Sequence, residues 1–165
     1  MPAYSYCFYL CRNVGGVDFE GAKGDLKTWG KRKMVTSNTK AMIKSDIHKV
    51  WDVVLAVEDY STWRTDLCKT EVLNEKQFVE YTNKDYATTF TITTVEPYQR
   101  WEFDMENSNM KGHWIGIFTS KGNETEIDFT EYVTARKFFM KPLIKAFLKK
   151  QQQQFVNDLQ KAVEQ

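Results

Sequence analysis

Few side chains in this 165-residue chain lie in a pattern that points to chemistry, and Glu131 is the strongest candidate. It continues the alternation of Ile127 and Phe129, which predicts an inward-facing carboxylate near the end of a strand. Removing a carboxylate from water raises its pKa unless a cation or a hydrogen-bond donor meets it, and a raised pKa suits a general acid or base. The alternative is that the strand ends or bulges before Glu131, which leaves its side chain in water.

His113 and Arg64 are weaker candidates, for handling a proton and for holding an oxyanion. His113, beside Trp114 on a predicted strand, could reach a cavity mouth, although a lone strand histidine is more often simply hydrogen-bonded. His48 falls on the polar side of a predicted helix. Neither histidine has a carboxylate or cysteine at a metal-ligand spacing, and the sequence has no nucleophile-elbow motif and no glycine-rich phosphate loop. We therefore predict no metal, no cofactor and no catalytic residue beyond these three candidates.

The elements that must position these residues follow from hydrophobic periodicity and turn residues. An extended segment at 34–44 leads to Ser45 and Asp46, which offer N-cap oxygens to an amphipathic helix at 47–57. A second short helical stretch is predicted at 58–67. Six strands joined by short turns follow, at 69–74, 77–82, 86–96, 100–106, 111–120 and 124–135. The short connections favour an antiparallel meander.

The last predicted helix, at 138–163, is the longest in the chain. Its apolar stripe consists of Ile144, Leu148, Phe155, Leu159 and Ala162. Gln151 interrupts this stripe, and a buried amide there would bind either the polar end of a ligand or a sheet backbone group or water.

Aromatic residues form 15% of the chain and include 5 Trp, a large supply of bulky apolar surface. Strand alternation and helix position predict that many of them face one interior space. The candidate ligand-binding residues are Trp63, Phe90, Ile92, Trp101, Phe103, Met105, Phe129, Phe139, Phe147 and Gln151. Two interpretations stay open, because the same residues would either fill a core or line a cavity.

The near balance of acidic and basic residues does not indicate a strongly charged partner. Lys plus Arg number 23 and Asp plus Glu number 22, and the resulting net charge of +1 lacks the basic excess of a nucleic-acid binder. Three cysteines indicate neither a disulfide framework nor a zinc module. No apolar run is long enough to span a bilayer and no signal-peptide pattern opens the chain, so we expect a cytoplasmic protein.

The near-zero net charge conceals an acidic middle and a basic end. Residues 34–134 carry a charge of −7 and residues 135–165 a charge of +5. Four lysines follow an i, i+4 row that begins just before the last helix and continues along it, namely Lys137, Lys141, Lys145 and Lys149. This row would make at most transient contact with an anionic membrane or a protein partner, or it is a solvated face that balances the acidic sheet.

The first 33 residues differ from the rest of the chain. They hold five of the eight glycines and sustain no helical or strand period, so residues 1–33 are interpreted as an N-terminal extension and residues 34–165 as the domain. Because Met34 opens the recognisable pattern, one hypothesis is that it is the native start.

The order of elements resembles the START-like (SRPBCC) superfamily, which includes polyketide cyclase/dehydrase-like proteins. Local stretches carry the resemblance in the expected order, at 43–51 (IKSDIHKVW), 59–63 (DYSTW), 100–104 (RWEFD), 113–118 and 124–129 (ETEIDF). The resemblance implies an α+β helix-grip fold, in which a curved antiparallel sheet wraps around a long C-terminal helix, with two short helices after the first strand.

The resemblance also implies a cavity for an apolar ligand between sheet and helix. Superfamily members bind lipids, sterols, quinones, hormones or polyketides, and some are enzymes or co-regulators of chaperones, so the fold alone cannot choose among these functions. We expect binding or transport of a small hydrophobic, lipid-, quinone- or polyketide-like ligand. The alternatives are a cyclase or dehydratase that acts on a polyketide-like substrate and an interaction module that docks through the lysine row.

Overall fold

The structure, a computed structural model, describes residues 34–136 and 141–165, and for residues 141–143 only the backbone. The strands are β1 Val35–Ile43, β2 Leu67–Asn74, β3 Gln77–Thr82, β4 Ala87–Glu96, β5 Arg100–Glu106, β6 Met110–Ser120 and β7 Thr125–Ala135. The helices are α1 Ile47–Leu55, a 3-10 turn Val57–Asp59, α2 Tyr60–Trp63 and α3 Lys141–Glu164. The predicted extension at 1–33 lies outside the described residues.

The seven strands form one antiparallel sheet in the order β1-β7-β6-β5-β4-β3-β2. Strands β2 to β7 are a meander, and β1 returns beside β7. Register shifts within β2 and β4 mark irregularities that bend a strand and increase its twist. The predicted helix-grip architecture is therefore confirmed.

The two short helices are shorter than predicted. α1 ends at Leu55 because Ala56 leaves the helical region, with φ −75° and ψ 68°, while its N–H still donates to the Asp52 carbonyl at 3.1 Å. The helix predicted at 58–67 is a 3-10 turn followed by one α-helical turn that ends at Trp63. Arg64 is then extended, with φ −83° and ψ 123°, and the chain enters β2 at Leu67.

Helix α3 packs across the inner face of the sheet and against α1. Its buried apolar residues are Ile144, Leu148, Val156, Leu159 and Val163. A polar contact ties it to the loop after α2, since Asp158 Oδ2 accepts hydrogen bonds from Thr65 N at 2.9 Å and Thr65 Oγ1 at 2.8 Å. These hydrogen bonds and Lys161 hold the pKa of Asp158 below its usual value despite burial. Among the described residues, no helix is long and apolar enough to cross a membrane.

Gly116 on β6 is required by the position of Trp114, whose indole lies across it. A Cβ at residue 116 would be 2.1 Å from Trp114 Cη2, far inside van der Waals contact. Trp114 is itself stacked on Phe103, with ring centroids 4.8 Å apart and planes at 4°. The indole of Trp114 can therefore stack on Phe103 because residue 116 has no Cβ.

Replacement of Gly116 by alanine is expected to lower the free energy of unfolding by about 1–3 kcal/mol, because the indole must leave its stacked position. Urea unfolding measures the loss. Thr119→Ala, an exposed position on the same strand, is the matched control and should change stability by less than about 0.5 kcal/mol. Equal stability of the Gly116 variant and the control would contradict this packing.

Candidate functional site

A cavity of about 100 Å³ lies between the inner face of the sheet and α3. Its apolar walls come from five strands and α3, and they consist of Phe78, Phe90, Trp101, Phe103, Met105, Met110, Trp114, Phe129 and Phe155. Its polar lining consists of Tyr60, Arg64, Glu80, Thr82, Thr88, Glu131, Gln151 and Gln152. Thr82, Thr88, Met110 and Gln151 are partly exposed, so the cavity reaches solvent beside them.

The aromatic residues both fill a core and border the cavity. Phe78 stacks on Phe90 at a centroid distance of 4.8 Å, and Trp101 meets Phe103 edge to face at 4.9 Å, so much of the interior is closed by ring contacts. The space that remains is smaller than the cavity of roughly 150 Å³ known to bind benzene. It suits a single ring or the end of a chain. A larger ligand requires side chains to move, and the unbranched Met105 and Met110 are suited to that.

One side of the cavity is closed by an ion-pair network centred on Arg64, which is 7% exposed. Its Nε and Nη2 donate to Asp66 Oδ1 and Oδ2 at 3.1 and 2.8 Å, and its Nη1 donates to Glu80 Oε1 at 2.7 Å. The guanidinium also lies over the rings of Tyr60 and Phe155, at 5.2 Å from each centroid. The two carboxylates and two rings hold Arg64 in place.

Burial sets the protonation of this network. It raises the pKa of Glu80 despite the attraction of Arg64, and it raises the pKa of the Tyr60 hydroxyl, which donates to the Val54 carbonyl. Although burial opposes its charge, Glu80 and Asp66 raise the pKa of Arg64, which stays a cation.

Glu131 lies beside this network with little hydrogen bonding of its own. Its only described donor is Gln152 Nε2, at a long 3.4 Å from Oε2, and Ser37 fixes that amide by donating to Gln152 Oε1 at 2.7 Å. Burial, reinforced by the charge of Glu80 and partly offset by Arg64, raises the pKa of Glu131 to about 7. Glu131 therefore keeps acceptor capacity toward the cavity and titrates near neutral pH.

Most sequence-predicted site residues border the cavity. The structure brings together Phe90, Trp101, Phe103, Met105, Phe129 and Gln151, with Arg64 and Glu131 from the acid–base candidates. β7 continues through Glu131 to Ala135 with alternate residues buried, so the strand neither ends nor bulges before the carboxylate. Gln151 is partly exposed at the border of the cavity rather than buried inside the stripe.

Other predicted site residues lie elsewhere. Trp63 and Ile92 pack at the edge of the core, and Trp63 rests against Phe155 at 5.4 Å without bordering the cavity. Phe147 is 57% exposed, so the prediction that it lines the cavity is wrong, because the buried stripe runs through its neighbours Ile144 and Leu148. Phe139 lies outside the described residues.

His113 does not reach the cavity mouth. It lies on the outer face of the sheet, where its Nδ1 is 2.8 Å from Asp104 Oδ1 and its Nε2 is 3.7 Å from Glu102 Oε2. Strand alternation explains the difference, since Trp114 points inward and its neighbour must point outward. His113 is therefore not placed to transfer a proton within the cavity.

Several lining residues escaped the sequence reasoning, notably Glu80, Gln152, Phe78 and Trp114. Alternation along β3 could have identified two of them, because Phe78 and Glu80 are two residues apart and therefore point to the same face of the sheet. No local signal could have paired Glu80 with Arg64, which is 16 residues away. Gln152 rather than Gln151 is the buried amide, a difference of one helical position.

The lysine row is described in part. Lys145 and Lys149 are exposed on α3, with Lys150 beside them, whereas Lys137 and the side chain of Lys141 lie outside the described residues. Contact of this row with a membrane or a protein partner stays a prediction.

Comparison with known proteins agrees with the fold. The family model described as polyketide cyclase / dehydrase and lipid transport matches residues 34–164. Among solved structures, the ZhuI aromatase/cyclase from Streptomyces sp. R1128 is similar, with a TM-score of 0.73, 11% identity, and coverage of 80% of this chain and 94% of that chain.

A START superfamily protein from Mycobacterium smegmatis is similarly related, with a TM-score of 0.70, 12% identity, and coverage of 79% of this chain and 97% of that chain. A conserved protein from Geobacillus kaustophilus has a TM-score of 0.69 at 12% identity, with coverage of 79% and 95%. At these identities the likeness concerns the fold alone. No curated protein sequence matches the chain.

Proposed function

Because the chain belongs to the polyketide cyclase/dehydrase and lipid transport family over residues 34–164, we propose that it binds a small, ring-containing hydrophobic ligand in the aromatic cavity. The apolar part of the ligand packs among Phe103, Trp114 and Phe129. Its single polar end meets Glu131, which has acceptor capacity to spare.

The observation that carries this proposal is the contrast between the cavity walls and its one charged side. Nine apolar side chains enclose the space, whereas the carboxylates and the guanidinium are gathered at Arg64, Glu80 and Glu131. A few convergent polar groups in an apolar cleft are the usual composition of a small-molecule site. A core without a ligand gains nothing from a buried carboxylate that lacks a strong donor.

Ligand binding is tested by native mass spectrometry of the freshly purified protein and by thermal shifts with oleate, menadione and the single-ring compound benzyl alcohol. At a concentration a hundredfold above its Kd, a bound ligand should stabilise the fold by about 2.7 kcal/mol. Met110→Trp adds bulk at the border of the cavity and should reduce the shift. Met42→Trp, on the outer face of β1 and 45% exposed, is the matched control. Absence of bound mass and of any shift would remove the proposal.

A second candidate function is acid–base catalysis on a polyketide-like substrate, with Glu131 as the proton-transfer group. A carboxyl whose pKa is about 7 can both take and give a proton at neutral pH. Glu131→Gln should then abolish turnover of a true substrate and leave the fold intact, while Glu124→Gln, an exposed position before β7, changes neither. Unchanged turnover in the Glu131 variant would remove this assignment.

A further inference from the structure

Resting on the ligand-binding function proposed above, we infer that the polar end of the ligand is an organic cation, such as a protonated amine, held by the Glu131 carboxylate against the aromatic wall. This names a chemical class of ligand and excludes another, the carboxylic acids.

The charged groups at the cavity are mostly acidic. Three carboxyl groups, of Glu131, Glu80 and Asp66, gather around the single guanidinium of Arg64. Among the described residues that line the cavity, Arg64 is the one cation. The cavity therefore carries an excess of negative charge whenever Glu131 is ionised.

Arg64 is already paired with Asp66 and Glu80, so an anionic ligand would compete with both carboxylates for its guanidinium. Three of its N–H donors are already engaged by Asp66 and Glu80, and the ion pair is buried. A ligand carboxylate would have to displace one of these partners and would face Glu131 and Glu80 at close range. Like charges in a desolvated site repel strongly, so carboxylic acids are disfavoured.

Apart from Arg64, which is paired with Asp66 and Glu80, the described residues around Glu131 offer its carboxylate no cation. α3 presents Gln151, Gln152 and Phe155, β1 presents Ser37, and β6 presents Trp114. The long contact with Gln152 leaves the carboxylate free to accept a charge-assisted hydrogen bond, which is shorter and stronger than a neutral one.

Aromatic faces attract cations, and two rings at this cavity already hold the Arg64 guanidinium in that way. Arg64 lies over Tyr60 and Phe155 at 5.2 Å from each centroid. A ligand ammonium between Glu131 and the rings of Trp114 and Phe129 would combine a counter-ion with the same attraction. The size of the cavity restricts the buried part of the ligand to about one ring or a short chain.

Three ring compounds that differ only in the polar end test the inference, namely benzylamine, benzyl alcohol and benzoate. NMR titration of the full chain at pH 8 gives a Kd for each. We expect benzylamine to bind roughly tenfold more tightly than benzyl alcohol, which corresponds to about 1.4 kcal/mol, and benzoate to bind most weakly. Glu131→Gln should equalise the amine and the alcohol, whereas Glu124→Gln should leave both affinities unchanged.

The pH dependence gives an independent readout. Benzylamine stays protonated between pH 8 and pH 5, but Glu131 takes up a proton over this range, so benzylamine affinity should fall on acidification. Benzyl alcohol affinity should change little, and Glu131→Gln should remove the pH dependence of amine binding.

Equal or weaker binding of benzylamine than of benzyl alcohol would overturn the cation assignment and leave the ligand-binding function standing. Retained amine preference in Glu131→Gln would also overturn it. Failure of all three compounds and of the lipid and quinone panel to bind would instead overturn the proposed function itself.

Discussion

Replacement of Arg64 by methionine is expected to lower the free energy of unfolding by about 3–5 kcal/mol, the usual cost of removing one partner from a buried ion pair. Methionine fills a similar volume and preserves contact with Tyr60 and Phe155. It leaves the Glu80 carboxylate buried without its cation, only 9% exposed at the side chain. The loss therefore measures an uncompensated charge rather than a cavity, and equilibrium urea unfolding at pH 7 records it.

The double variant Arg64→Met, Glu80→Leu separates the effect of an uncompensated charge from the effect of a cavity. Removing both charged partners should recover most of the lost stability, since apolar replacements of buried ion pairs are often neutral. The single variant should also recover partly as the pH is lowered, because burial raises the pKa of Glu80 and its protonation relieves the unpaired charge. A loss below about 1 kcal/mol in the single variant would contradict the buried network, because exposed pairs contribute no more than that.

Glu131→Gln is expected to stabilise the fold at pH 8 by about 3 kcal/mol, the free energy that corresponds to a pKa raised from 4.5 to about 7. The folded state holds the proton of Glu131 up to a higher pH than the unfolded chain does. Between about pH 4.5 and pH 7 the folded state therefore binds more protons, and stability falls as the pH rises through this window. Glutamine resembles the protonated carboxyl and avoids the penalty.

The measurement is urea unfolding of the wild type and of Glu131→Gln at pH 5 and at pH 8. The stability difference between them should be small at pH 5 and large at pH 8. Glu124→Gln controls for the loss of one acidic charge and should show no such change. A variant less stable than the wild type at pH 8 would mean that Glu131 is ionised and well paired in the fold. That result would contradict the burial of its carboxylate without a strong hydrogen-bond donor.

The parts of the structure that follow from local rules could be predicted from the sequence. Alternation of apolar and polar residues has a period of two, so the inward position of Glu131 follows from Ile127 and Phe129. The same rule predicts that His113 points outward, because its neighbour Trp114 points inward. The Asp46 cap also follows from residue type, since its Oδ1 accepts from His48 N and Lys49 N at 3.0 and 3.2 Å.

The rest of the site depends on contacts that no local pattern encodes. Arg64 meets Glu80 on β3 only because α2 ends at Trp63 and Arg64 itself is extended as the chain leads into β2. Phe147 and Gln152 show that one helical position, about 100°, decides between solvent and interior. Whether aromatics fill a core or line a cavity is a question of packed volume, and residue types alone leave it open.

The central claim, that ligand enters the space between the sheet and α3, is tested most directly by NMR of the full chain labelled at its methionine methyl groups. Met105 and Met110 line the cavity, whereas Met34 and Met42 are 42% and 45% exposed outside it. Titration with benzyl alcohol, a single-ring compound, should shift the signals of Met105 and Met110 saturably and leave those of Met34 and Met42 in place. Unchanged cavity methyls at the highest concentration, or shifts confined to Met34 and Met42, would contradict the account.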